Sequence, residues 1–241
     1  ERLTNEGLSV VVAHPKEWEV WLPQDVVLPK DIPFESRNQA QKSSLVPVLK
    51  GQSGEIQLSG PLYIEAPGGL LLGDGVYLGP FWLKADAYGS WTLIEEVPIE
   101  RYLLGVVPHE IGFRAPQTAL AVQAVLARTW ALANRKRFLV DGYNLCSDTQ
   151  CQVYKDPQKA NSRIKSAISS TAGKYLSSQK QPIHAVYHAS NGGVMASATE
   201  AWSMAPLPYL KAKLDGPTNW KEKFILPFDG KLALKTFLDN V

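Results

Sequence analysis

The sequence predicts an α+β fold, a Gly-rich antiparallel β region followed by a mixed helix and strand core built around one long buried helix. Three observations carry that reading. Up to Val97, short aliphatic and aromatic runs alternate with Gly and Pro turns at even spacing, the pattern of antiparallel strands. At Val97-Pro98 the texture changes and the turns thin out. From Pro116 to about Phe138 a single stretch is apolar on almost every face, and a helix of that kind belongs in a protein's interior.

In chain order, Leu8-Ser9-Val10-Val11-Val12-Ala13 and Glu19-Val20-Trp21-Leu22 read as strands, and Asp25 to Leu45 as a polar, Pro-containing excursion. Further strands are expected at Ile56–Leu58, Leu62–Ile64, Leu70–Leu72, Phe81–Leu83 and Trp91–Ile94. Pro98 opens a short helix over Ile99–Leu104, since proline suits a first helical turn. The long helix presents Val122, Val125, Leu126, Thr129, Leu132 and Ala133 on one face, with Gln123 and Arg128 interrupting it. Buried polar groups need partners, so these two should point into a cleft or clamp a neighbouring loop. A second helix runs from Asn161 and stops at Gly173. A strand over Ile183–His188 then leads into Ala189-Ser190-Asn191-Gly192-Gly193, where small residues bring backbone amides close to a ligand. A last helix, Lys231 to Val241, has no stop signal, so the domain is expected to continue beyond the sequence. The division expected is an N-terminal β or irregular segment over 1–50, as part of the β region or an added module, and a main domain over 51–241.

Composition narrows the function. Of 241 residues, 45% are hydrophobic and 20% charged, which suits a packed soluble protein. A net charge of +2 is too small to argue for a nucleic-acid partner. No run of apolar residues is long enough for a membrane span. The sequence starts at Glu1 without a Met, as after processing or cutting, and a removed export signal fits that start.

The chemistry centres on Glu110, the one acidic residue in the run from Leu103 to Phe113. A carboxyl group in apolar surroundings resists ionisation, which is how enzymes keep a proton donor at neutral pH. The plainer alternative is a surface or capping carboxylate just ahead of a helix. Cys146 and Cys151, the two cysteines, allow a local disulfide, half a metal site or two free thiols. With His188 they would make three zinc ligands, but nothing fixes a fourth. His184 and His188 lack the helical two-His zinc pattern. Ser190 and His188 lack the Gly-flanked nucleophile elbow. No phosphate-binding or dinucleotide-binding glycine pattern occurs.

Several stretches, taken together, resemble the SpoIID/LytB domain family. They are Tyr102-Leu103-Leu104-Gly105-Val106-Val107-Pro108-His109-Glu110, the helix Ala119–Ala131, Leu145–Tyr154, Tyr187–Gly193, and Glu200-Ala201-Trp202 with Leu207–Leu210. They occur in the family's order between about Gly51 and Leu210, and the first fifty residues carry no match. The resemblance implies an exported cell-wall protein acting outside the cytoplasmic membrane, in the periplasm or wall. Its expected activity is lytic transglycosylase cleavage of peptidoglycan glycan strands already stripped of peptides. Glu110 would be the catalytic acid and base, with no metal and no organic cofactor. Gln123, Arg128, Tyr187, His188, Ser190, Gly192 and Gly193 would bind the sugar. The LytB branch implies the alternative of a glycan-binding enhancer of a cell-wall amidase. The family's usual acid before the motif tyrosine is Arg101 here, Ala189 stands where a serine is common, and Gln150 replaces a histidine ahead of the second cysteine. That last change removes a metal ligand, so a Cys146–Cys151 disulfide is expected rather than zinc.

Overall fold

The computed structural model describes residues 7–13, 19–21, 48–51, 54–57, 61–85, 91–188, 191, 193–202 and 204–215. They fall into two compact units, one ending at Val186 and the other starting at Tyr187.

The first unit opens with strands β1 (Gly7–Ala13), β2 (Glu19–Trp21), β3 (Val48–Gly51), β4 (Gly54–Gln57), β5 (Leu62–Ile64), β6 (Leu70–Leu72), β7 (Gly75–Tyr77), β8 (Phe81–Ala85) and β9 (Trp91–Pro98). Four of them form an antiparallel sheet in the order β1-β9-β8-β5, while β6 and β7 make a hairpin. The pairing of β2 with β3 is parallel, a departure from the all-antiparallel expectation. Three helices follow, α1 (Ile99–Ile111), α2 (Gln117–Asn134) and α3 (Ser162–Ser170), and then the small hairpin of β10 (Ser177–Ser178) and β11 (Gln181–Pro182). The expected excursion over 25–45, the run Phe224–Leu226 and the helix at 231–241 lie outside the described residues.

The core sits between the four-stranded sheet and the helices. Leu8, Val10, Phe81, Leu83, Leu93 and Val97 come from strands, and Ile99, Tyr102, Leu103, Val106 and Val107 from α1. The α1 residues recur at helical spacing, and this stripe corrects the shorter helix expected over Ile99–Leu104. It carries the helix through Pro108 to Ile111, so Glu110 stands in its last turn rather than ahead of the next helix. Gly112, at φ 91°, closes α1, and its N–H donates to Pro108 O at 3.0 Å.

The buried side of α2 also differs from expectation. Leu120, Ala124, Ala127 and Ala131 pack inward, while Val122 is 53% exposed. Alanines let a neighbouring helix approach closely, so the small-residue face meets α1 and α3. The second helix forms as expected, with the Asn161 side chain accepting from Ile164 N at 3.1 Å as its N-cap. Ile183–His188 is not a strand. Its β-forming residues find no ladder partner beyond the two-residue pairing of β10 with β11.

The second unit holds β12 (Val194–Met195), the short helix α4 (Ala198–Ala201) and β13 (Lys213–Leu214). β12 and β13 pair antiparallel, and Ser197 caps α4 reciprocally with Glu200.

Candidate active site

The last turn of α1 is joined to a loop that follows Leu145. Cys146 and Cys151 in that loop are bonded, with Cα atoms 5.6 Å apart. Asp148 shapes the closed turn, its Oδ1 accepting from Gln150 N at 2.8 Å and its carbonyl from Cys151 N at 3.1 Å. Beyond the turn, Val153 N–H donates to Glu110 Oε1 at 2.6 Å. Glu110 is half-buried, and among the described residues its other oxygen, Oε2, has no hydrogen-bond partner. One oxygen is therefore fixed by the backbone and the other is left for a further partner.

The loop is bolted to α1 at two more points. Lys155 N–H donates to Gly105 O at 3.2 Å, and Tyr102 OH donates to Gln152 Oε1 at 3.2 Å. Gly105 makes this approach possible: a β-carbon there would stand 2.3 Å from Lys155 O and 2.5 Å from the Tyr154 ring. His109 Nδ1 also meets Gly105 O, at 2.7 Å, so that nitrogen carries the ring proton. The His109 ring stands edge-on to Phe113, with centroids 5.3 Å apart.

Behind the loop, Tyr154 OH donates to Glu95 Oε2 at 2.8 Å. Glu95 is fully buried, and its Oε1 accepts from Gly79 N at 3.1 Å and faces Arg101 Nη2 at 3.5 Å. Burial pushes the Glu95 carboxyl above the usual carboxylate range, against the bonds from Tyr154 and Gly79 and the Arg101 charge. Burial, with the Glu95 charge beside it, also raises the Tyr154 phenol, and it pushes Tyr77 up to about 12. A carboxyl whose folded value is raised stabilises the fold fully below its ordinary value of 4.5. That contribution is lost as pH rises through the folded value. Glu95→Gln should therefore gain stability relative to the parent as pH rises across that window, with urea unfolding midpoints as the readout. Glu95→Leu should instead cost about 3–5 kcal/mol below that window, because it strands Tyr154 OH and Gly79 N–H in the core.

Arg128 on α2 is fully buried. Its Nη2 and Nε reach Glu100 Oε2 and Oε1 at 2.7 and 2.8 Å, and its Nη1 donates to Lys174 O at 2.9 Å. It clamps α1, α2 and the segment after α3 together, as the clamp reading of Arg128 expected. Gln123 is 6% exposed, and its Nε2 has no partner among the described residues.

Tyr187, His188 and Gly193 belong to the second unit, where Gly193 N–H donates to Asn191 Oδ1 at 2.9 Å. Ser190 and Gly192 lie outside the described residues. Among the described residues no group of three or more His, Cys, Asp or Glu side chains could hold a metal ion. Sequence reasoning missed Gly105, Glu100, Glu95 and the Val153 amide. The one available signal was a glycine inside an apolar helical stripe, which marks a close backbone approach.

A family model described as SpoIID, Stage II sporulation protein, matches residues 87–177. Over that segment the chain is similar to the SpoIID/LytB family. It is 31% identical over 134 residues to "Stage II sporulation protein D" of Bacillus subtilis (strain 168), covering 49% of this chain and 39% of that protein. The protein of the same name from Bacillus amyloliquefaciens is 33% identical over 140 residues, again 49% of this chain and 39% of its own length. An "Amidase enhancer" of Bacillus subtilis (strain 168) is 36% identical over 113 residues, 47% of this chain and 15% of that protein. The matched part thus spans well under half the length of these relatives. The SpoIID segment, 87–177, contains Glu110, the disulfide loop, the Glu95–Tyr154 pair and the Arg128 clamp. Tyr187, His188 and Gly193 fall beyond it.

Proposed function

We propose that the protein is a peptidoglycan lytic transglycosylase in which Glu110 acts first as acid and then as base. The observation that supports this most is a half-buried carboxylate with one oxygen held by a backbone amide and the other, among the described residues, unengaged. The family is linked to cell-wall glycan processing, and its sporulation and enhancer names fit that setting. A hydrolase of the usual kind needs two carboxylates across the bond. One suffices when the sugar supplies its own nucleophile. Glu110 gives its proton to the oxygen bridging MurNAc and GlcNAc, and the C1–O bond breaks as an oxocarbenium-like centre forms at the muramic C1. The carboxylate then takes the proton of that sugar's C6 hydroxyl while the C6 oxygen bonds to C1, leaving a 1,6-anhydro end. The step balances without water, metal or cofactor. Gln123, whose amide donor has no partner among the described residues, is a proposed sugar contact, and in the second unit so are Tyr187, His188, Ser190, Gly192 and Gly193. The proposed setting is outside the cytoplasmic membrane.

Peptide-free glycan strands incubated with the protein should yield anhydro-muramic ends by mass spectrometry. Glu110→Gln should lower that yield by at least about 100-fold, as loss of a proton-transferring group does. No cleavage of either stripped or intact strands by the parent protein would overturn the reading. The amidase-enhancer relative favours a second one: glycan binding that stimulates a cell-wall amidase. In that case stimulation survives Glu110→Gln.

A further inference from the structure

The end of α2 carries a surface that the proposed chemistry does not use. Arg135-Lys136-Arg137 follow the helix without a break, and the one acidic residue from Leu132 to Tyr143 is Asp141. α2 is 18 residues long, so this end lies about 27 Å along the helix from its start next to the Glu110 turn. Beside it an open cavity of about 300 Å³ is lined by Arg135, Lys136, Tyr175 and Gln181 over an apolar floor including Leu132 and Pro182. Lys180, next to Gln181 at the tip of the β10–β11 hairpin, adds a cation, and so does Lys84, whose Nζ is 3.8 Å from where a β-carbon would stand on Gly142.

Between these cations the chain turns outward. Leu139 is 55% exposed and Val140 fully exposed, on a single helical turn over Leu139–Asp141. The turn is held rigid on either side, because Phe138 stacks on Tyr143 with centroids 5.1 Å apart and Arg137 lies over the Phe138 ring at 5.5 Å. Asn144 Nδ2 donates to Arg135 O at 2.7 Å, closing the base of the excursion. Val140 is the most exposed large hydrophobic side chain among the described residues.

We propose that this turn docks on the surface of an anionic lipid bilayer. Leu139 and Val140 enter the boundary between headgroups and acyl chains, and Arg135, Lys136, Arg137, Lys180 and Lys84 sit among the lipid phosphates. The chemistry is that of interfacial anchors, a small apolar wedge ringed with cations. Phosphate alone explains the cations, but an aliphatic pair calls for a lipid interior. The inference stands whether or not Glu110 is catalytic.

The test is flotation of the full chain with phosphatidylcholine vesicles made with and without phosphatidylglycerol. Binding is expected with the anionic lipid only, and it should fall as salt is raised because the attraction is screened. Lys136→Ser and Arg137→Ser should each weaken it about fivefold, the worth of one cation near such a surface. The double variant Leu139→Asp, Val140→Asp should abolish it while leaving the melting temperature unchanged, because both side chains stand out from the fold. Dye-labelled Val140→Cys should shift to shorter emission wavelength on anionic vesicles. Equal binding to both vesicle types, no binding to either, or undiminished binding by the double variant would each overturn the proposal. So would equal affinity for soluble polyphosphate, which would mark a polyanion site instead.

Discussion

Gly105→Ala is expected to lower both stability and the proposed activity although residue 105 is buried in the fold. The added methyl would stand 2.3 Å from Lys155 O and 2.5 and 2.6 Å from two ring carbons of Tyr154. A backbone oxygen cannot swing aside as the end of a flexible side chain can, so the loop itself must move. Overpacking of this kind costs about 1–3 kcal/mol. For a protein of this size the melting temperature should fall by about 3–10 °C, readable by differential scanning calorimetry. The same displacement draws Val153 away from Glu110, because Val153 and Lys155 are two residues apart. A shift of about 1 Å in a reacting group can cost about 100-fold in rate. The proposed release of anhydro-muramic ends should therefore fall much further than the loss of folded protein at the assay temperature accounts for. If activity falls only in step with unfolding, the loop does not aim Glu110.

The second large effect belongs to the Arg128–Glu100 pair, and it should be asymmetric. Arg128 is fully enclosed, whereas the Glu100 side chain keeps 25% of its exposure. Glu100→Ala strands a buried cation, a change that costs about 3–5 kcal/mol. Arg128→Met leaves a carboxylate that can still reach water and still accepts from Gly173 N at 3.3 Å, so the loss should be smaller. The double variant should be no less stable than Glu100→Ala alone, because its buried cation is gone. Urea unfolding of the four proteins closes the cycle and gives the coupling directly. Additive losses would mean that the two side chains do not depend on each other.

The sequence displays these residues unequally. The strands Leu62–Ile64 and Leu70–Leu72 were legible to the residue, since short aliphatic runs between glycines leave little else to form. The motif containing Glu110 was legible too, as were the cysteine pair and the polar breaks in α2. The length of α1 was not, because Pro108 reads locally as a stop while the buried stripe from Ile99 to Val107 overrides it. Nor was the role of Arg128, since periodicity says where a side chain faces but not whether Glu100 waits there. Glu95 fell just past the strand expected at Trp91–Ile94, and its partner Tyr154 lies 59 positions further on. Ile183–His188 had strand composition without a partner, and composition does not supply one.

The bond from Val153 to Glu110 links positions 43 apart, and Glu95, Glu100 and Arg128 each have one partner at least 46 positions further along the chain. Helices can form in about a microsecond, but a contact across a long loop waits for that loop to close. A nascent chain ending at α2 holds the acid and has nothing to aim it. Competence is therefore acquired late, with the arrival and docking of residues 146–174. Intermediates that already contain α1 and α2 carry the carboxylate in an inert form, and a polypeptide in transit poses no threat to the polymer it is proposed to cut.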